Sequence, residues 1–152
     1  MARMELTFTF KGDKKVLAKL KRTQAGLKDM KGPMRTVSKF LTHYYSQAFV
    51  SQGGVFGMPW PRLNRYYEVE KHKRYPGRPP LIATGRMQRG FKYQVFRNGT
   101  VIHNPTPYFK YHQSSAPRSR LPRRLMMAIN SEVEFRVFSI INQYVRDQLR
   151  KA

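Results

Sequence analysis

Between Glu70 and Glu132 the chain contains no Asp or Glu, while thirteen Lys or Arg fall in the same stretch. Such a stretch has no means of neutralising itself through local ion pairs. Whatever elements it forms must leave their cations solvated or turn them toward something negative. The imbalance extends to the whole sequence, where 30 Lys and Arg stand against 8 Asp and Glu for a formal charge of +22. That excess predicts a polyanionic neighbour: nucleic acid, an anionic membrane or an acidic protein face. A length of 152 residues, 40% of them hydrophobic, predicts a single domain over 1–152 that buries its own core. There is no cysteine, which excludes disulfides, zinc–thiolate sites and thiol catalysis. No apolar run is long enough to span a bilayer, and the opening MARMELTFTF lacks the apolar core of a signal peptide. The expectation is a soluble, basic α+β domain made inside the cell.

Periodicity divides the chain. Met4, Leu6, Phe8 and Phe10 alternate with Glu5, Thr7 and Thr9, the pattern of a half-buried strand. Residues 14–30 carry Val16, Leu17, Leu20, Leu27 and Met30 at helical spacing. The clearest helix is 34–50, whose stripe runs Val37, Phe40, Leu41, Tyr44, Tyr45, Ala48 and Phe49. Residues 51–80 hold four Gly, five Pro and the only Trp, and read as a long loop excursion with a helical turn near 65–73. Short helical turns are expected around 81–90 and 108–113. A hairpin is expected across Asn98-Gly99, joining residues 91–96 to Val101-Ile102. Residues 114–124 form a basic loop, and 125–130 read as a last strand. Ser131 with Glu134 opens the final helix, striped by Val133, Val137, Phe138, Ile140, Ile141, Tyr144, Val145 and Leu149. The fold class is therefore α+β: a small antiparallel sheet packed with about three helices, with a long excursion in the middle.

The chemistry available is narrow. Eight acids, none of them between Glu70 and Glu132, leave little material for paired carboxylates or a two-metal site. His43, His72, His103 and His112 show no metal-ligand spacing, and Gly53-Gly54 lacks the Lys-Ser/Thr ending of a phosphate-binding loop. No catalytic residue, metal or cofactor is expected. Basic residues interleave with aromatics at Arg65-Tyr66-Tyr67, Lys73-Arg74-Tyr75 and Phe109-Lys110-Tyr111, the composition of a surface that pairs with phosphate and stacks on bases. No helix loaded with base-reading Arg, Asn and Gln occurs, so nucleic-acid contact would be through the backbone and sensitive to salt.

The order of motifs in the middle of the chain carries a resemblance. A long amphipathic helix ends at Phe49, and Trp60-Pro61-Arg62-Leu63 follows. Next come Pro80-Leu81-Ile82-Ala83-Thr84-Gly85-Arg86-Met87, a hairpin, and Asn104 with Tyr108. Tyr111-His112-Gln113 and Leu121-Pro122-Arg123-Arg124 close the series. Over roughly residues 35–150 this resembles the virion morphogenesis, or tail-completion, proteins of tailed bacteriophages. One departure is the glycine usual after the His-Gln box, replaced here by Ser114-Ser115-Ala116. The resemblance implies a non-enzymatic structural protein of the virion, at the head–tail junction or tail end, made in the host cytoplasm. It implies a homo-oligomeric ring, commonly hexameric, around the DNA channel, with connector, neck and tail proteins as partners and viral double-stranded DNA inside.

On that reading Lys71, Lys73, Arg74, Arg78, Arg118, Arg120, Arg123 and Arg124 face DNA or another anionic partner. Phe56, Trp60, Tyr66, Tyr67 and Tyr75 serve subunit or connector contacts, with Trp60 anchoring its loop either on the body or on a neighbour. Thr84 and Gly85 form a structural turn, Gly for backbone freedom and Thr as a cap. The competing reading is a stand-alone, non-sequence-specific nucleic-acid-binding protein of ribosomal or chromatin-like type, which charge and size fit equally well. A membrane-surface protein fits less well, because the helices carry core-like stripes.

Overall fold

The computed structural model describes residues 27–115 and 121–151. The strand expected over 4–10, nearly all of the helix expected over 14–30, and Arg118 and Arg120 lie outside the described residues. The described chain is a small α+β fold with five helices and a two-stranded antiparallel sheet. In chain order the elements are α1 (Lys31–Val50), a 3-10 turn (Gly54–Phe56), α2 (Arg65–Arg74), α3 (Arg86–Arg89), β1 (Lys92–Phe96), β2 (Gly99–His103), α4 (Phe109–Gln113) and α5 (Ser131–Lys151). The two long helices are those marked by apolar periodicity. The three short ones fall where helical turns are expected, although α2 reaches ten residues. Two compact units divide these elements.

The first unit takes the chain up to Leu41, residues Tyr93–Ile102, and the chain from Ser131 onward. Its buried apolar side chains are Met34, Val37 and Leu41 of α1 and Val133, Val137 and Ile141 of α5. The α5 set is spaced by four, so one narrow edge of the helix is buried. Phe138, expected in the stripe, lies a turn of about 100° round from Val137 and is 62% exposed, as is Phe135 at 72%. Ser38 is fully buried and polar. Its hydroxyl donates to Met34 O at 2.6 Å and lies 2.7 Å from Thr100 Oγ1. The hairpin is pinned at its tip, where Met30 N donates to Arg97 O at 2.9 Å and Arg97 Nε donates to Lys28 O. The two residues between the strands are Arg97 and Asn98, one earlier than the expected Asn98-Gly99 turn.

The second unit comprises Thr42–Lys92 and His103–Asn130. Its core is Ala48, Phe49, Trp60, Ile82, Met87, Phe109 and Met126, with Val55, Phe56, Leu81, Phe91 and Met127 packed against it. Aromatic rings run through it edge to face. Phe49 meets Trp60 at 5.4 Å and Phe91 at 6.1 Å, and Phe91 meets Phe109 at 5.7 Å, while Tyr45 lies 5.8 Å from Phe91 with its ring tilted at 48°. Each such pair adds about 0.5–1.5 kcal/mol beyond its buried area. The first part of the expected excursion folds back on this core. Gly53 N donates to Ala48 O at 2.8 Å and Trp60 N to Gln52 O at 2.7 Å. Gly53 has φ +85°, and a β-carbon there would stand 2.5 Å from Trp60 Cδ1, so only glycine lets the indole in. The strand expected over 125–130 does not form. Those residues run as irregular, partly buried chain, because the amides of Met126 and Met127 are taken by a side chain, Gln113, and not by a neighbouring strand.

Candidate functional site

The recognisable boxes of the sequence are braces of the second unit. Trp60 is 7% exposed, and its indole Nε1 donates to Leu125 O at 2.8 Å. It therefore anchors its segment on its own chain. One residue along, the Arg124 guanidinium reaches back to the same segment. Nε and Nη2 donate to Pro61 O at 3.2 and 2.9 Å, and Nη2 also to Arg62 O at 3.2 Å. Gln113 ties α4 to the chain beyond the basic loop. Its amide donates to Met127 O at 2.6 Å, while its oxygen accepts from Met126 N at 2.9 Å and Met127 N at 3.0 Å. Asn104 Nδ2 donates to Met87 O at 2.7 Å, closing the C-terminal side of α3. Asn130 donates to Tyr44 Oη and Val55 O, both at 3.0 Å.

Helix α2 is built differently. It has no apolar face. Asn64 caps it by accepting from Tyr66 N at 3.0 Å, and Glu68 lies in its first turn. The one side chain α2 buries is Lys71, 6% exposed, whose ammonium donates to Arg78 O at 2.8 Å and to Pro79 O. Taking an ammonium out of water costs several kcal/mol. Bonds to a charged group return about 1.5–3 kcal/mol each, which is why carbonyls of the Arg78-Pro79 turn must close over it. Burial first, and then repulsion from Arg124, holds the Lys71 ammonium below its ordinary value, with Glu68 opposing in part. Burial likewise lowers Arg124.

Between α2, α3 and α4 lies a cavity of about 450 Å³. Its polar lining includes Arg62, Lys71, Arg86, Arg124 and Tyr67, and its apolar lining Leu63, Leu81, Met87 and Leu121. The turn entering α3 shapes one wall. Gly85 has φ +77°, and Thr84 Oγ1 accepts from Arg86 N at 3.3 Å. Leu81 holds the left-handed conformation at φ +62°, a strain of about 1–2 kcal/mol for a residue with a β-carbon.

The cations expected at an anionic partner thus separate. Lys73, Arg74, Arg78 and Arg123 are exposed, and Lys73 pairs with Glu70 at 2.8 Å. Lys71 and Arg124 are buried braces, because backbone carbonyls converge on them, from the Arg78-Pro79 segment just after α2 for Lys71 and from the distant Pro61-Arg62 segment for Arg124. The aromatics separate too. Tyr66 and Tyr67 are exposed at 85% and 58%, Tyr75 is at the edge of exposure, and Phe56 packs on Tyr44 at 5.8 Å. Gln113, Asn104 and Asn130 are the structural residues that sequence reasoning did not assign. Asn104 and Gln113 stand in the family-like boxes, which gave them a place but no role, and Asn130 has no such signal.

No group of His, Asp or Glu able to hold a metal occurs among the described residues, and no helix among them is long and apolar enough to cross a membrane. What the geometry assembles is a cross-braced scaffold. The chain belongs to the phage virion morphogenesis family, whose model matches residues 11–146. No curated protein and no solved structure matches it significantly. It is accordingly a virion-associated assembly protein of a bacteriophage.

Proposed function

We propose that the chain is a structural subunit that completes the head–tail junction or the tail end. Copies of it close into a ring around the DNA passage and join connector to tail. The observation that carries this reading is the exposed charge of the second unit. By sequence that unit holds fourteen Lys and Arg against two carboxylates, Glu68 and Glu70, and Lys73, Arg74, Arg78 and Arg123 stand in solvent. A subunit lining a DNA conduit needs such a surface: cationic, without a base-reading element, and dependent on phosphate contacts. Exposed aromatics support self-association: Tyr66 and Tyr67 on α2, and Phe135 and Phe138 on α5.

The test is native mass spectrometry with negative-stain imaging of nuclease-treated protein at low and high salt. Closed rings that persist at high salt are the expected result. A monomer that binds any duplex at low salt and releases it steeply as salt rises would favour the stand-alone nucleic-acid-binding reading instead.

A further inference from the structure

The cavity of the second unit is lined by four cations, Arg62, Lys71, Arg86 and Arg124, and by no carboxylate. Two of these are buried, at 6% and 3% exposure, and donate their hydrogen bonds to neutral backbone carbonyls, with the Glu68 carboxylate offsetting the charge at Lys71 only in part. Two buried like charges beside one void form an arrangement that a bound anion relieves. Their bonding leaves capacity for one. Lys71 uses two of its three N–H donors, and no bond among the described residues uses Nη1 of Arg124. Leu63, Leu81, Met87 and Leu121 give the lining an apolar part. A volume of about 450 Å³ falls in the range of sites that enclose a small ligand.

We propose that this cavity is a docking site for a carboxylate-bearing peptide segment of a partner protein. An Asp or Glu side chain enters toward Lys71 and Arg124, and its apolar neighbours lie on the leucine and methionine wall. Arg62 and Arg86, exposed where they line the cavity, draw the acid in. A DNA duplex is the wrong shape for this recess: its phosphates sit on a rigid rod, whereas the inner cations are almost wholly buried. Burial and then the neighbouring Arg124 hold the Lys71 ammonium below its ordinary value, and a carboxylate seated beside both cations would favour the charged form of the lysine. The proposal does not depend on ring closure, and its test needs none.

The experiment uses the full chain with ¹³C-labelled methionine methyls. Met87 lines the cavity and is assigned through Met87→Leu. The probes are the capped tetrapeptide Leu-Glu-Leu-Glu, its Leu-Gln-Leu-Gln counterpart, and a short DNA duplex. The acidic peptide is expected to shift the Met87 methyl saturably and to bind about tenfold more tightly than the Gln peptide. Arg86→Gln, an exposed position whose loss leaves the braces intact, is expected to weaken it by a similar factor. Lys71→Met is the second variant, read only if its spectrum stays folded. Equal binding of the Gln peptide, a silent Met87 at millimolar peptide, or a duplex that moves Met87 as the peptide does would each overturn the proposal. Rings seen without peptide binding would sink this inference alone, and peptide binding by a permanent monomer would sink only the ring.

Discussion

At the scale of single residues, the surprises are side chains whose neighbours come from far along the chain. Trp60 reads equally well as an anchor on the body or on a neighbouring subunit, and its hydrogen bond to Leu125 and its packing against Phe49 place it in the core. Trp60→Ala is expected to cost about 3–5 kcal/mol, a large share of a domain's stability. Trp60→Phe leaves the Leu125 carbonyl unmet, for about 1–3 kcal/mol. Urea titration of the two variants checks both. Tyr45 carries a pH dependence. Burial, and then the neighbouring Tyr44, push its phenol from 10.0 up to about 12. A raised phenol favours the protonated form in the fold. Its contribution is whole below pH 10.0 and is lost as pH climbs through about 12, a swing of about 3 kcal/mol. Thermal melts across that window should show a flatter alkaline decline in Tyr45→Phe than in the native chain. Lys71 and Arg124 were legible only as cations. That they are buried depends on the Arg78-Pro79 and Pro61-Arg62 carbonyls, which no local pattern announces.

At the scale of elements, α1 and α5 were legible because a long apolar stripe at helical spacing has few other uses. Helix α2 was legible only as a helical turn near 65–73, since a helix polar all round has no stripe to show its length. It stands on its Asn64 cap and its Lys71 tether. Asn64→Ala should cost about 1 kcal/mol. Hydrogen exchange should then rise across residues 65–74 while the buried part of α1 stays protected; uniform loss of protection would mean that α2 is integral to the core. Residues 125–130 show the opposite error. Their apolar run has the composition of a strand, but strands need backbone partners, and here Gln113 supplies the bonds. Gln113→Ala should therefore destabilise by about 1–3 kcal/mol for each buried group it strands, whereas Gln88→Ala, outside that brace, should be nearly neutral in the same melt.

At the scale of the whole molecule, charge is the governing quantity. Replacing the four exposed cations Lys73, Arg74, Arg78 and Arg123 by Gln should leave the melt unchanged. The same change should flatten the salt dependence of anion binding, by up to about 0.9 in log–log slope for each phosphate no longer neutralised. An unchanged slope would move the anionic partner to another face. Sequence alone determined the net charge, the absence of thiol chemistry, the two long helices, the hairpin and the family-like order of boxes, because each is composition or short-range periodicity. The tertiary structure alone decided which cations stay in water and which become braces, that Trp60 belongs to the core, and that an acid-free cavity exists. Those outcomes depend on where distant carbonyls and rings converge, and burial of a charge is a property of its surroundings, not of the residue.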